Sequence, residues 1–196
     1  VFTAILKFLW SQANALKGFA SEGNWGSTET YGLYTIALHF AEFRDAPMWI
    51  DRVKDRYEIL SQALLKSDNS SFELPLGYTD YALSTISGGK SLADKFGIRE
   101  YPYLKSTLDR IRNLGRYLMY TSGPGYVDNQ WGDGNSHKSH YRNRLKLLAD
   151  WLDDQELLFG ATQGKEGVPP DFTSFVYPDA RIAVMRSGWG DKDLYL

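Results

Sequence analysis

Apolar residues recur every three or four positions along most of the chain, a spacing that puts them on one face of a helix. Phe2, Ile5, Leu6, Leu9, Ala13, Leu16 and Ala20 form the first such stripe, with Gly23 placed to end it. Leu33, Ile36, Ala37, Phe40 and Ala41 form a second, so a helix starts between Asn24 and Thr28 and returns antiparallel to the first. Asp45 is positioned to cap a third helix with Pro47 in its first turn, burying Ala46, Ile50, Val53, Tyr57, Leu60 and Leu64, and the polar run from Ser67 to Ser71 closes it. A fourth runs from about Tyr78. Gly88-Gly89 predicts a break in it, since a glycine in a helix interior costs roughly 1 kcal/mol against Ala, followed by a short helix to Phe96. Pro102 opens a fifth, with Leu104, Leu108, Ile111, Leu114 and Leu118 inward and Gly123-Pro124 as its stop. The Gly, Asn, Asp and Ser residues of 122–136 predict a loop, and a sixth helix spans His137 to Leu152 over Tyr141, Leu145 and Leu148.

The period changes near the end of the chain. Residues 160–178 read as a long connection, and Arg181-Ile182-Ala183-Val184-Met185-Arg186 and Leu194-Tyr195-Leu196 have strand composition around the turn-like Ser187-Gly188-Trp189-Gly190-Asp191. The expected organisation is a domain of helical hairpins over 1–159, a connecting segment over 160–178, and the opening of a β domain over 179–196.

Composition narrows the function. Hydrophobic content of 43% with 23% charge is that of an ordinary globular chain, and 15% aromatic is high. A net charge of −2 and the lack of a basic run argue against a nucleic-acid partner. The absence of cysteine removes disulfides and thiolate metal sites. His137 and His140 stand three apart at a helix start with no third ligand in step, so they read as solvated residues, no metal is expected, and His39 reads as a boundary residue. The apolar start, Val1 to Trp10, lacks a basic lead and keeps amphipathic spacing, so it reads as a domain helix. No run approaches the roughly 20 apolar residues of a membrane span.

Two stretches carry the candidate chemistry. Gly23-Asn24-Trp25-Gly26-Ser27-Thr28-Glu29-Thr30-Tyr31-Gly32-Leu33 and Phe72-Glu73-Leu74-Pro75-Leu76-Gly77-Tyr78-Thr79-Asp80-Tyr81 are both polar, Gly/Pro-bearing interruptions set just before an apolar-periodic segment. With Ala41-Glu42-Phe43-Arg44-Asp45-Ala46 and Trp49 between them, and Tyr177-Pro178-Asp179-Ala180 through Val184-Met185-Arg186-Ser187-Gly188-Trp189 at the end, their order and spacing resemble the heparinase II/III-like polysaccharide lyases.

That resemblance implies a mainly α fold, an incomplete (α/α) toroid of antiparallel hairpins leading into the first strands of a β-sandwich. It implies cleavage of a uronic-acid-containing polysaccharide by β-elimination, without a cofactor, in the periplasm or outside the cell. Removing the proton beside a carboxylate builds negative charge on that group, which a neutral donor stabilises. A tyrosine whose phenol is brought below its usual pKa of ~10 serves as base and then as acid toward the leaving oxygen. The resemblance gives these roles to Asn24 and Tyr78. It departs at Trp25 and Thr79, where histidine is frequent in the family, and the family's further histidine comes from a β-sandwich region later than Leu196.

Each assignment has a plainer counterpart. Asn24 also suits a helix cap, and Tyr78 is one of 13 tyrosines. Glu29 and Glu73 bind sugar hydroxyls, orient Asn24 and Tyr78, or buttress helix ends. Asp133, in Trp131-Gly132-Asp133-Gly134, contacts substrate or forms an Asp-Gly turn. Trp25 and Trp131 sit in predicted loops, where they would serve as stacking platforms for sugars. Two other functions fit the same residues: a catalytically silent glycan-binding or scaffold module, and a toroidal glycoside hydrolase pairing carboxylates such as Glu29 and Asp133.

Overall fold

The structure is a computed structural model that describes residues 1–99, 101, 103–126 and 140–196. Its helices are α1 (Phe2–Gly18), α2 (Gly23–His39), α3 (Ala46–Ala63), α4 (Leu76–Lys95), α5 (Lys105–Thr121), α6 (His140–Leu152) and α7 (Gln155–Thr162), with a 3₁₀ turn at Pro124–Tyr126. Strands β1 (Phe175–Tyr177) and β2 (Ile182–Val184) pair antiparallel, Val176 opposite Ala183, and an isolated bridge joins Arg186 to Tyr195.

Consecutive helices pack as neighbours, α1 on α2, α2 on α3, α4 on α5 and α6 on α7, and side-chain ties show how alternate helices line up. Asn24 meets Glu73, Thr28 meets Tyr81 and the ring of Tyr31 lies against Gly88, so α2 and α4 run parallel. Glu58 meets Thr107 and Ser61 meets Arg110, so α3 and α5 run parallel in the other layer. Arg144 of α6 reaches Asp80 and Ser87 of α4, extending the first layer. Two layers of parallel helices joined by hairpins make part of an (α/α) toroid. Between them lies a core that includes Trp49, Tyr57, Tyr117, Leu33, Leu60, Leu83 and Ile111, all fully buried.

α2 buries Ser27 and Thr30 as well as Leu33 and Ala37. Those hydroxyls are satisfied within their own helix, Ser27 donating to the Asn24 carbonyl at 2.8 Å and Thr30 to the Gly26 carbonyl at 2.7 Å. Back-bonding of this kind lets a polar helix sit inside a core without orphaned groups.

Four expectations need correction. α1 ends at Gly18, and Gly23 opens α2, one residue before the expected window. Asp45 precedes α3 as expected but makes no side-chain cap bond; its carboxylate accepts from the Trp10 indole at 2.8 Å. α4 runs unbroken through Gly88-Gly89. A β-carbon on Gly89 would come within 2.6 Å of the hydroxyls of both Tyr57 and Tyr103, so this glycine admits two buried rings and does not end the helix. Finally, α7 and β1 occupy parts of the stretch expected to be helix end and connection. Asp154 caps α7, accepting from the amides of Glu156 and Leu157 at 3.0 Å, and its other oxygen takes Arg112 and Arg116 at 3.1 Å, which is why it tolerates burial.

The C-terminal hairpin is pinned to the end of α5. The Arg186 guanidinium, stacked between Trp189 and Tyr195 with ring centroids 4.4 and 4.6 Å away, donates to the carbonyls of Tyr120 and Ser122. Tyr195 donates to the carbonyl of Thr121 at 2.8 Å. Carbonyls that a helix end leaves without partners are thereby satisfied by Arg186 and Tyr195.

Glu58 ties α3 to the first turn of α5, accepting from Ser106 and Thr107 there and from Arg110 at 2.9 Å. The Thr107 hydroxyl first, then Arg110, hold its carboxyl at about 2, against an ordinary 4.5. A carboxyl depressed on folding adds stability above its unfolded pKa and loses it as pH falls toward the folded value. Chemical denaturation titrated downward from pH 4.5 to 2 is therefore expected to show a decline that Glu58→Gln makes shallower.

Candidate active site

The adjoining N-terminal turns of α2 and α4 bring the two candidate stretches together. Asn24 is the second residue of α2, inside the helix, where Glu22 is the cap; capping is therefore not its role. It is held through its backbone. Its N–H donates to Oε1 of Glu73 at 3.2 Å, and its carbonyl accepts from Ser27 and from Thr28 at 2.9 Å. The glycine before it has φ +61°, and a β-carbon there would stand 2.2 Å from that same Glu73 oxygen, so only glycine lets the carboxylate approach this closely.

Tyr78 lies in the first turn of α4, with 37% of its surface exposed. Thr79, beside it, faces the other way. It is buried, and its hydroxyl stands 2.8 Å from that of Ser71 and 3.2 Å from the Glu73 carbonyl. The departure from histidine at this position thus alters a buried buttress. Trp25, the other departure, is 74% exposed at the same end of the layer. It belongs to the first turn of α2, not to the predicted loop.

Glu29 accepts from Ser21 at 2.9 Å, while the buried second oxygens of Glu29 and Glu73 have no hydrogen-bond partner among the described residues. Both carboxylates are turned inward. Trp131 and Asp133 fall outside the described residues, as does His137. Among the described residues no three acidic or histidine side chains are grouped to hold a metal ion.

Tyr81 is a neighbour of Tyr78 that the sequence reading did not single out. It sits one turn beyond Tyr78, 48% exposed, its hydroxyl 3.3 Å from that of Thr28. Its i, i+3 spacing from Tyr78 was the available signal. Asp80, between the two tyrosines in sequence, is instead engaged by Arg144 at 3.0 Å and faces α6.

Burial sorts the tyrosines. Desolvation pushes Tyr34 up to about 12 and raises Tyr57, Tyr103, Tyr117, Tyr120 and Tyr177 further, which disqualifies their phenols as bases near neutrality. A pocket of about 270 Å³ elsewhere, between α5 and β1, is lined by Asn69, Asn113, Arg116, Tyr120 and Phe175 among others and includes none of the proposed site residues. Its cation is already committed, since Arg116 pairs with Asp154 and Glu156. What the α2/α4 end offers is different: an amide, a partly exposed phenol and an exposed indole on neighbouring turns.

Comparison with known proteins identifies the family and the fold. The family described as the heparinase II/III N-terminus matches residues 2–159. A heparin-sulfate lyase of Bacteroides stercoris is 26% identical over 181 residues, covering 88% of this chain and 26% of that protein. One from Pedobacter heparinus is 26% identical over 183 residues, covering 89% and 27%. Among solved structures, a heparinase III superposes with a TM-score of 0.82 at 22% identity over 98% of this chain and 30% of its own. Heparan sulfate lyase HepC of Pedobacter heparinus does so with a TM-score of 0.74 at 23% identity, over 99% and 31%. The chain thus spans about a quarter of the length of these curated relatives. With four-fifths of its residues matched and its helices laid out as in those solved folds, this chain belongs to the heparinase II/III family, of which it carries the N-terminal helical region.

Proposed function

We propose that the chain is the helical part of a polysaccharide lyase that cleaves a uronate-containing glycan by β-elimination. The observation that supports this most is the single hydrogen-bonded junction that puts Asn24 and Tyr78 on adjoining helix starts. In this reading the Asn24 amide donates to the uronate carboxylate as negative charge grows on it, and Tyr78 takes the proton from the neighbouring carbon. The electron pair left behind forms the double bond and expels the glycosidic oxygen, to which the same phenol returns the proton. Trp25 is the stacking surface for a sugar ring, and Trp131 and Asp133, outside the described residues, keep their proposed roles of stacking on and contacting substrate. The reaction takes no cofactor.

The segment after α7 then leads into a β-sandwich that opens with β1 at Phe175, and the site of action is the periplasm or the cell exterior. No described helix is long and apolar enough to cross a membrane. The relatives are named for heparin sulfate, and the same chemical class, a uronate-bearing polysaccharide, is proposed here. The test is a panel of uronic glycans incubated with the full-length protein while ultraviolet absorbance of the unsaturated uronide is followed. Growth of that absorbance is expected; its absence across the panel, or products with a saturated non-reducing end, overturns the reading.

A further inference from the structure

We propose that Glu73 is a positioning residue: a strut that sets Asn24 against Tyr78 by binding both helix starts at once, without touching substrate. The inference rests on the elimination reading for its kinetic arm alone. Through its side chain Glu73 accepts the Asn24 N–H at 3.2 Å. Through its own carbonyl it accepts from Ser71 at 3.0 Å and from Thr79 at 3.2 Å, and Thr79 is the residue that follows Tyr78. One residue therefore joins the start of α2 to the start of α4, across 49 positions of sequence.

Three features set this apart from a chance contact. Gly23 is in a left-handed conformation, and a β-carbon there would stand 2.2 Å from the Glu73 oxygen, so a side chain at this position would displace the carboxylate from the Asn24 N–H. The side-chain oxygen meets the start of a helix, whose first N–H groups have no partner within the helix and are satisfied by an acceptor from outside it. Its second oxygen is buried, so the group faces inward. Asn24 and Trp25 then leave the strut on consecutive residues, and a shift of the first turn of α2 moves both relative to Tyr78. Misplacement by about 1 Å can cost on the order of 10²-fold in rate.

The experiment uses the full-length protein in three variants. Glu73→Gln keeps an acceptor oxygen at the same reach and removes the charge; Glu73→Ala removes the acceptor; Glu73→Asp withdraws it by one methylene. Glu73→Ala and Glu73→Asp are expected to lower kcat by about 10 to 10²-fold with KM altered less than about threefold. Glu73→Gln is expected to stay within about threefold of wild type, with the limbs of its pH profile unmoved. Amide hydrogen exchange over residues 22–27 is expected to quicken at least about tenfold in the Ala and Asp variants and to be restored in the Gln variant. If Glu73→Ala does not fold, the Asp variant carries the comparison.

A Gln variant as slow as the Ala variant makes the charge itself the requirement and overturns the proposal. So does a loss confined to KM, which marks a substrate contact, or exchange that is unchanged when the acceptor is removed. If the wild-type protein forms no unsaturated product, the elimination reading falls by itself, and hydrogen exchange alone decides whether Glu73 holds the junction.

Discussion

Replacing Tyr78 by Phe in the full-length protein is expected to lower formation of unsaturated uronide by about 10³-fold or more, the range expected when a group acting as both base and acid loses its proton-carrying atom. Stability is expected to change by no more than about 0.5 kcal/mol, because the side chain is partly exposed and only an oxygen is removed. Specificity of the effect comes from the sorting of the tyrosines. Tyr57, Tyr103 and Tyr117 are buried with raised phenols, so none of them replaces the lost group. Tyr81 stands one turn away with its hydroxyl toward Thr28, and Tyr81→Phe is expected to cost only a few-fold, about the effect of one exposed hydrogen bond. Initial rates from ultraviolet absorbance, with thermal melts as the control, check both. Residual elimination in the Phe variant above about a tenth of wild type would reassign the base. Hydrolysis surviving intact would favour the pairing of carboxylates instead.

How far the fold was legible depended on whether the deciding contact was local. The stripe of α3 and most of that of α5 are read correctly because burial follows helical period, and Val53, Tyr57, Leu60, Ile111, Leu114 and Leu118 are all buried, whereas Leu104, expected inward, precedes α5 and is exposed. The continuity of α4 was not legible. A glycine pair costs helix stability locally, and what offsets it is the seating of Tyr57 and Tyr103 against Gly89 from other parts of the chain. α7 was missed although its signal was present: Asp154, a favoured cap type, followed two residues later by Glu156 in the first turn. A run of eight helical residues ending in Gly, Ala and Thr has too little stripe to stand out. β1 was missed because its three residues lie in a Pro- and Gly-rich stretch and it is made a strand by pairing with β2.

At the site, the residue types in the two stretches pointed to a junction, and family resemblance singled out Asn24 and Tyr78. The inward turn of Glu29 and Glu73 was not readable, since it rests on partners at Ser21 and at the Asn24 amide that only the packed helices define. The same holds for Thr79. By sequence it is a missing imidazole; in the fold it is a buried hydroxyl that steadies Glu73, and a histidine there would have to displace Ser71 and Pro75 contacts to fit.

Asn24→Asp separates the structural from the chemical role of this position more sharply than truncation does. The substitution is isosteric and places a carboxylate in the first turn of α2, where negative charge near a helix N-terminus contributes about 0.3–1 kcal/mol. The neighbouring Glu73 carboxylate takes back part of that gain by repulsion, so the melting temperature is expected to hold close to wild type. Turnover responds in the opposite sense. A donor aimed at a developing anion is worth about 10² to 10³-fold, the loss expected for Asn24→Ala. Asn24→Asp removes the same donor and adds a charge of the wrong sign beside the substrate carboxylate, so its loss is expected to exceed 10³-fold, about the largest effect available at this site. A residue that only shaped the helix start would show the reverse ranking, with Asp tolerated and Ala impaired, because the aspartate keeps the size, polarity and helix-end preference that alanine lacks. Initial rates and melts of the two variants measured side by side decide between these orders, and an aspartate variant more active than the alanine variant removes Asn24 from the chemistry.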